Sequence, residues 1–198
     1  MISGDPGGYG RQQICDPVIE TSPSYLCSMT LDFHQHLPEN FAPDSRVWIY
    51  QSNRLLFLSE ALDLEPMLEE FVAGWRSHGA KVSAWGNLLF GQFLVLMADE
   101  RAAGVSGCST DSSVRFVKEI GEKFKVDFFN RTHLAFYVKE RIQTIPMAQL
   151  QPALDGGLIT PDTPYFNNTV ATKAEMEAKW IIPVKDSWLA GRYQISAV

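Results

Sequence analysis

The run Phe93-Leu94-Val95-Leu96-Met97 constrains the fold more than any other stretch of this chain. Five consecutive large apolar residues do not suit a sheet with one wet face. Residues 92–98 are therefore expected to form a central strand, with neighbours at its edges and cover on both faces. Arg46 to Gln51 (Arg-Val-Trp-Ile-Tyr-Gln) is β-branched and aromatic, also apolar on alternate sides, and reads as a second strand. Residues 81–85 read as a third, with Gly86-Asn87 and Gly91 marking a hairpin into the central run.

Helical spacing appears in two places. Leu64, Leu68, Phe71, Val72 and Trp75 recur on one face between 59 and 77, with Gly79 as a stop and Pro66 as the point where the helix begins or kinks. Val114, Val117, Ile120 and Phe124 define a second helix after a loop over 104–111, in which Asp111 is expected as the N-cap. A short strand over 134–138 follows, then a short helix over 146–154 ended by Gly156-Gly157. Thr172 with Glu175 forms a capping-box pattern that opens a helix running to about Trp180, and Pro183 stops it.

The order strand, helix, strand, strand, helix, strand is that of a ferredoxin-like βαββαβ core, an α+β fold with strand order 4-1-3-2 and both helices on one face. A doubly wound α/β sheet is the alternative, disfavoured because an all-parallel sheet contains no hairpin. The other sheet face needs cover, either from a C-terminal helical extension carrying Tyr165, Phe166, Trp180, Ile181, Ile182 and Trp188 or from a second copy of the chain. The extension is favoured. Residues 1–28, rich in Gly, Pro, Ser and Gln without apolar periodicity, are expected to be a disordered tail ahead of a single α+β domain over 29–198.

This topology sorts the loops onto two rims. One gathers Asp44, Ser45 and Arg46, the turn Ser77-His78-Gly79, the loop 106–111 and Lys139-Glu140-Arg141. The other gathers Gln51-Ser52-Asn53-Arg54, the hairpin near Asn87 and residues 127–133.

On the first rim, a cysteine at a helix start has its thiolate favoured by the helix dipole and by free N–H groups. Cys108 with His78 is thus the candidate catalytic pair of a thiol-dependent enzyme. The same junction offers Gly107 for close backbone approach and Ser106, Ser109 and Thr110 as hydroxyl donors to an anion, with Arg46 nearby. On the second rim, Gln51, Asn53 and Arg54 present fork-like donors suited to a carboxylate or phosphate. Each also has an ordinary reading: a packed thiol, a helix cap, a polar turn.

Composition limits the partners. The 17 basic and 23 acidic residues give a formal charge of −6 with no long run of either sign, which disfavours nucleic acid. No apolar stretch reaches the roughly 18 residues of a spanning helix, and no secretory signal is evident, so a cytoplasmic protein without membrane insertion is expected. Cys15, Cys27 and Cys108 lack metal-ligand spacing, as do His34 and His36, so reduced thiols and no metal are expected.

Val47-Trp-Ile-Tyr-Gln-Ser-Asn53, Ser77-His-Gly79, Ser106-Gly-Cys-Ser-Thr-Asp-Ser-Ser113 and Phe166-Asn-Asn168 with Lys179-Trp180 together resemble an uncharacterised bacterial protein family. The likeness spans about residues 30–192, and family members often carry the label "ABC transporter ATPase". It implies no established activity. The Gly-x-x-x-x-Gly-Lys-Ser/Thr loop that such a label requires occurs nowhere, so an autonomous P-loop ATPase is not expected, nor any cofactor. The expectation is a soluble binding or interaction domain for a small anionic ligand. A thiol-dependent enzyme and a transporter-associated protein are the alternatives, with a protein partner or homodimer allowed.

Overall fold

The computed structural model describes residues 30–77, 79–99, 101 and 107–195, with backbone only at 107–109. In chain order the elements are β1 (Arg46–Gln51), α1 (Leu58–Gly74), β2 (Arg76–Ser77), β3 (Ala80–Lys81), β4 (Ser83–Leu89), β5 (Phe93–Asp99), α2 (Gly107–Phe124), β6 (His133–Val138), β7 (Arg141–Pro146), α3 (Leu150–Asp155), β8 (Pro164–Phe166), α4 (Lys173–Lys179) and β9 (Ile181–Pro183). It is a mixed α and β structure, and every strand pair among the described residues is antiparallel.

β5 lies between β1 and β4, with Val47 opposite Met97 and Trp85 opposite the same residue on the other side. All seven residues of β5 are buried, which is why its sequence is apolar on both faces. Leu94, Leu96 and Ala98 join Leu64, Leu68, Val117 and Ile120 from the two long helices and Trp75 just past the end of α1. Phe93, Val95 and Met97 face the other way.

Gly86 does not form the hairpin turn. β4 runs through Gly86-Asn87 to Leu89, and the chain reverses at Phe90 (φ 53°) and Gly91 (φ 63°), where the Gln92 N–H donates to the Leu89 carbonyl at 3.1 Å. Two consecutive positive φ values are the backbone of a type I′ turn. Gly86 has a packing role instead: a Cβ there would lie 2.8 Å from Leu68 Cδ1, so its absence lets α1 sit down on the sheet.

One helix boundary also differs from expectation: α2 starts at Gly107, which puts Asp111 within the helix instead of at its N-cap. α1 begins at Leu58 and holds Pro66 in its interior, so of the two readings of that proline the helix start is set aside. Thr172, by contrast, caps α4: its hydroxyl accepts from the Glu175 N–H at 3.2 Å, while the Glu175 carboxylate reaches back to the Ala171 N–H at 2.8 Å.

The order β1-β5-β4 is the 1-3-2 part of the expected arrangement, but the fourth segment does not pair with β1. β6 belongs to a second sheet, ordered β7-β6-β8-β9. A turn at Lys139 (φ 51°) and Glu140 (φ 61°) folds β7 back onto one edge of β6, and β8 occupies the other. With both edges of β6 taken, none is left for β1.

The face of β5 turned away from α1 and α2 is covered by the chain itself. Phe166, Val170, Met176 and Trp180 arrive from the C-terminal part and Phe33, Leu37 and Phe41 from the segment before β1. The cover is therefore part sheet and part helix. Trp180 is fully buried, its ring centroid 5.4 Å from Phe93 and 4.7 Å from Phe33. Truncating a tryptophan so placed costs about 3–5 kcal/mol. A third cluster, with Phe136, Leu150, Tyr165 and Leu189, closes the far side of the second sheet.

Candidate ligand-binding cleft

β1 is an edge strand, and only its first residues are paired on the outer side. The Val47 N–H donates to the Ala171 carbonyl and the Lys173 N–H to the Ser45 carbonyl, each at 2.9 Å, around the bridge between Arg46 and Thr172. Backbone groups alternate sides along a strand, so those of Ile49 and Gln51 point outward as Val47 does. No strand pairs with that stretch of the edge among the described residues. A cleft of about 410 Å³ lies there, between β1, residues 128–134 and residues 165–170.

An amide relay holds its inner end. Gln51, 9% exposed, donates from Nε2 to the His133 carbonyl at 3.2 Å and accepts at Oε1 from Asn168 Nδ2 at 2.9 Å. Asn168 Oδ1 in turn accepts from the indole N–H of Trp180 at 3.0 Å. The buried Gln51 amide and the half-buried Asn168 amide thereby both have partners, and the relay ties β1, β6 and the segment after β8 together.

Trp48, Tyr50, Phe129, Tyr165, Phe166 and Trp188 supply aromatic parts of the cleft's walls. Tyr50 meets Phe129 edge to face at 5.7 Å, and the Trp188 indole donates to the Tyr165 hydroxyl at 3.1 Å. Burial pushes both phenols above their ordinary value; at Tyr50 a hydrogen bond with Ser113 and the charge of Arg131 work against it. Both therefore remain neutral hydroxyls at neutral pH. Arg131 and His133 are the basic groups on the walls, and among the described residues no Asp or Glu lines the cleft. In a chain of charge −6, that local bias suits an anionic group beside a flat apolar body.

Of the expected donors, Gln51 alone reaches this cleft from the Gln51–Arg54 turn. Asn53 is matched to Asp127, its N–H donating to the Asp127 carbonyl at 3.0 Å and its Oδ1 accepting the Asp127 N–H at 2.9 Å. Arg54 grips Glu60 with both terminal nitrogens, at 2.7 and 2.8 Å, and donates to the Phe124 carbonyl at 2.7 Å. It fastens the start of α1 to the end of α2. The Arg54 pair, helped by the Phe57 N–H, holds the Glu60 carboxyl down at about 2. Arg46 is at the opposite end of β1, its guanidinium 5.2 Å over the Trp48 ring.

On the other rim, Thr110 is half-buried in the first turns of α2, and its carbonyl accepts from the Ser113 hydroxyl at 2.7 Å. Arg76 and Ser112 line one small depression beside Trp75. His78 and Ser106 lie outside the described residues, as do the side chains of Cys108 and Ser109; Gly107 is placed only as the first residue of α2. The proposed Cys108–His78 pair and the anion site at Ser106–Thr110 fall largely in that region. Among the described residues no cluster of three or more His, Cys, Asp or Glu side chains is placed to hold a metal, and no helix is long and apolar enough to cross a membrane.

Phe129, Arg131 and His133 were grouped in sequence only as part of a rim rich in amides and arginines. Their meeting with Tyr165 and Asn168 depends on β6 pairing with β8, a contact between segments nearly thirty residues apart that no local pattern announces. The chain matches no protein-family model, no curated protein and no solved structure.

Proposed function

We propose that this chain is a binding domain whose ligand, a small organic anion with a flat apolar body, occupies the cleft along the outer edge of β1. The helix-bearing half is read as a ferredoxin-like unit, β1-α1-β4-β5-α2, whose fourth strand has been drawn into a second sheet. The strand order β1-β5-β4 and the placement of both helices on one face support that reading. The cleft stands where the missing strand would pair.

The observation that carries the functional reading is the cleft's chemistry: aromatic walls, outward backbone groups at Ile49 and Gln51, and Arg131 and His133 without a lining carboxylate among the described residues. A carboxylate at Arg131 gains a charge-assisted hydrogen bond while a ring lies between Tyr50 and Tyr165. The test is a thermal-shift and calorimetric comparison of benzoate, 4-hydroxybenzoate and indole-3-acetate with their uncharged amides. The acids are expected to bind and the amides to bind more weakly, with Arg131→Gln removing about tenfold of the acids' affinity, as loss of one exposed charge-assisted contact does. Equal binding of acids and amides, or an Arg131→Gln variant that binds like the parent, would contradict the assignment.

A further inference from the structure

The opposite edge of the first sheet carries a second, different surface. β4 has no strand beyond it among the described residues, and α1 lies beside that edge, leaving a groove of about 850 Å³. The alternation that points Val47 away from β5 makes its partner Met97 face β4, and Trp85 face back. Ala84, Gly86 and Leu88 are then left with their N–H and carbonyl groups directed outward along the edge. Above them, Leu58, Leu62, Glu65 and Glu69 follow at intervals of four, three and four, and so form one stripe of α1. Leu58 is 77% exposed, Leu62 59% and neighbouring Leu55 53%, a contiguous apolar rim of the kind that marks an interaction site.

We infer that this groove docks an extended segment of a partner protein, added as a strand to β4, with apolar side chains over Leu58 and Leu62 and lysine or arginine over Glu65 and Glu69. Side chains on one face of a strand recur every second residue, so the segment presents two apolar and two basic residues at alternate positions. Charge selects this occupant. α1 carries Glu60, Asp63, Glu65, Glu69 and Glu70 and no Lys or Arg, and among the described residues only Glu60 is ion-paired, to Arg54. A second copy paired edge to edge would set two such acidic helices side by side. Residues 1–29 carry Arg11 against Asp5, Asp16 and Glu20, and are mismatched in the same way. Anionic lipid is repelled for the same reason.

The probe is a fluorescein-labelled heptapeptide with Thr at the intervening positions and two Leu followed by two Lys at the alternate ones, made in both sequence directions, with a Glu-for-Lys control. One direction of the Lys peptide is expected to bind by fluorescence anisotropy and to slow amide exchange at Ala84, Gly86 and Leu88. Glu65→Lys combined with Glu69→Lys should weaken it about tenfold or more, as reversal of two rim charges does. Both glutamates are exposed, so the variant folds, which its thermal melt checks. Arg131→Gln should leave this binding unchanged, which separates it from the cleft on the other edge. Equal binding of the Glu peptide, no protection at the three amides, protection that instead follows protein concentration without peptide, or uptake by phosphatidylglycerol vesicles in place of peptide would each overturn the inference.

Discussion

Gly121→Ala offers a sharp test, because helix propensity and local geometry predict opposite signs. In an exposed helix interior the change gains about 1 kcal/mol, since alanine loses less backbone entropy. Here α2 ends in a Schellman motif: Lys125 adopts φ 55° and the Val126 N–H returns to the Gly121 carbonyl at 3.0 Å. That return folds the Val126 carbonyl over the helix, so a Cβ on Gly121 would lie 2.8 Å from its oxygen. A backbone oxygen cannot rotate aside as a side chain can. Relief requires opening the cap, losing its hydrogen bond at about 1 kcal/mol and loosening the buried Val126 and Phe128 for about 1–3 more. The net expectation is a loss of about 1–3 kcal/mol once the propensity gain is set against these costs. Gly74→Ala is the control: Gly74 is the last residue of α1, and nothing lies within 4 Å of its added Cβ. It should be neutral or stabilising by up to about 1 kcal/mol. Urea denaturation followed by circular dichroism measures both. A Gly121→Ala protein as stable as the parent, with the same denaturant slope, would refute the account of the cap.

Asn168→Ala removes the middle of the amide relay and leaves Gln51 Oε1 and Trp180 Nε1 without their partners; a loss of about 1–3 kcal/mol is expected by chemical denaturation. The Arg54–Glu60 pair predicts an acid limb. Because Glu60 is held below its ordinary value near 4.5, its contribution is complete above that pH and is lost as pH falls toward about 2. Thermal melts from pH 6 to 2 should therefore show a shallower decline for Glu60→Gln than for the parent over that window, and parallel curves would count against the pair.

Local patterns were legible where one segment carries its own signal. β1 has the bounds its β-branched and aromatic residues imply, β5 is buried throughout as an unbroken apolar run demands, and Thr172 caps the helix it was expected to cap. Gly86 was misleading, because a glycine admitted for close packing looks in sequence like one required by a turn; Phe90, at a left-handed position, carries no such mark. β7 escaped because Arg-Ile-Gln-Thr-Ile-Pro follows a reversal at Lys139 and Glu140, residues without the usual turn chemistry. Gln51 was the one residue of its turn to reach the cleft, since the Asn53 side-chain oxygen accepts from the Asp127 N–H and Arg54 spends its donors on Glu60 and Phe124.

What the sequence determined by itself was β1, β5, the two long helices, the capped start of α4 and the need to cover both faces of β5, because hydrophobic period and cap chemistry act within a few residues. Which edges pair was decided only in the tertiary structure. β6 chose β7 and β8 over β1, and that one non-local choice left the outer edge of β1 open and brought Gln51, Arg131, His133, Tyr165 and Asn168 around a common space. Strand pairing is a competition among edges with nearly equal backbone hydrogen bonds. Its outcome rests on the summed packing of side chains far apart in the chain, which no window of the sequence contains.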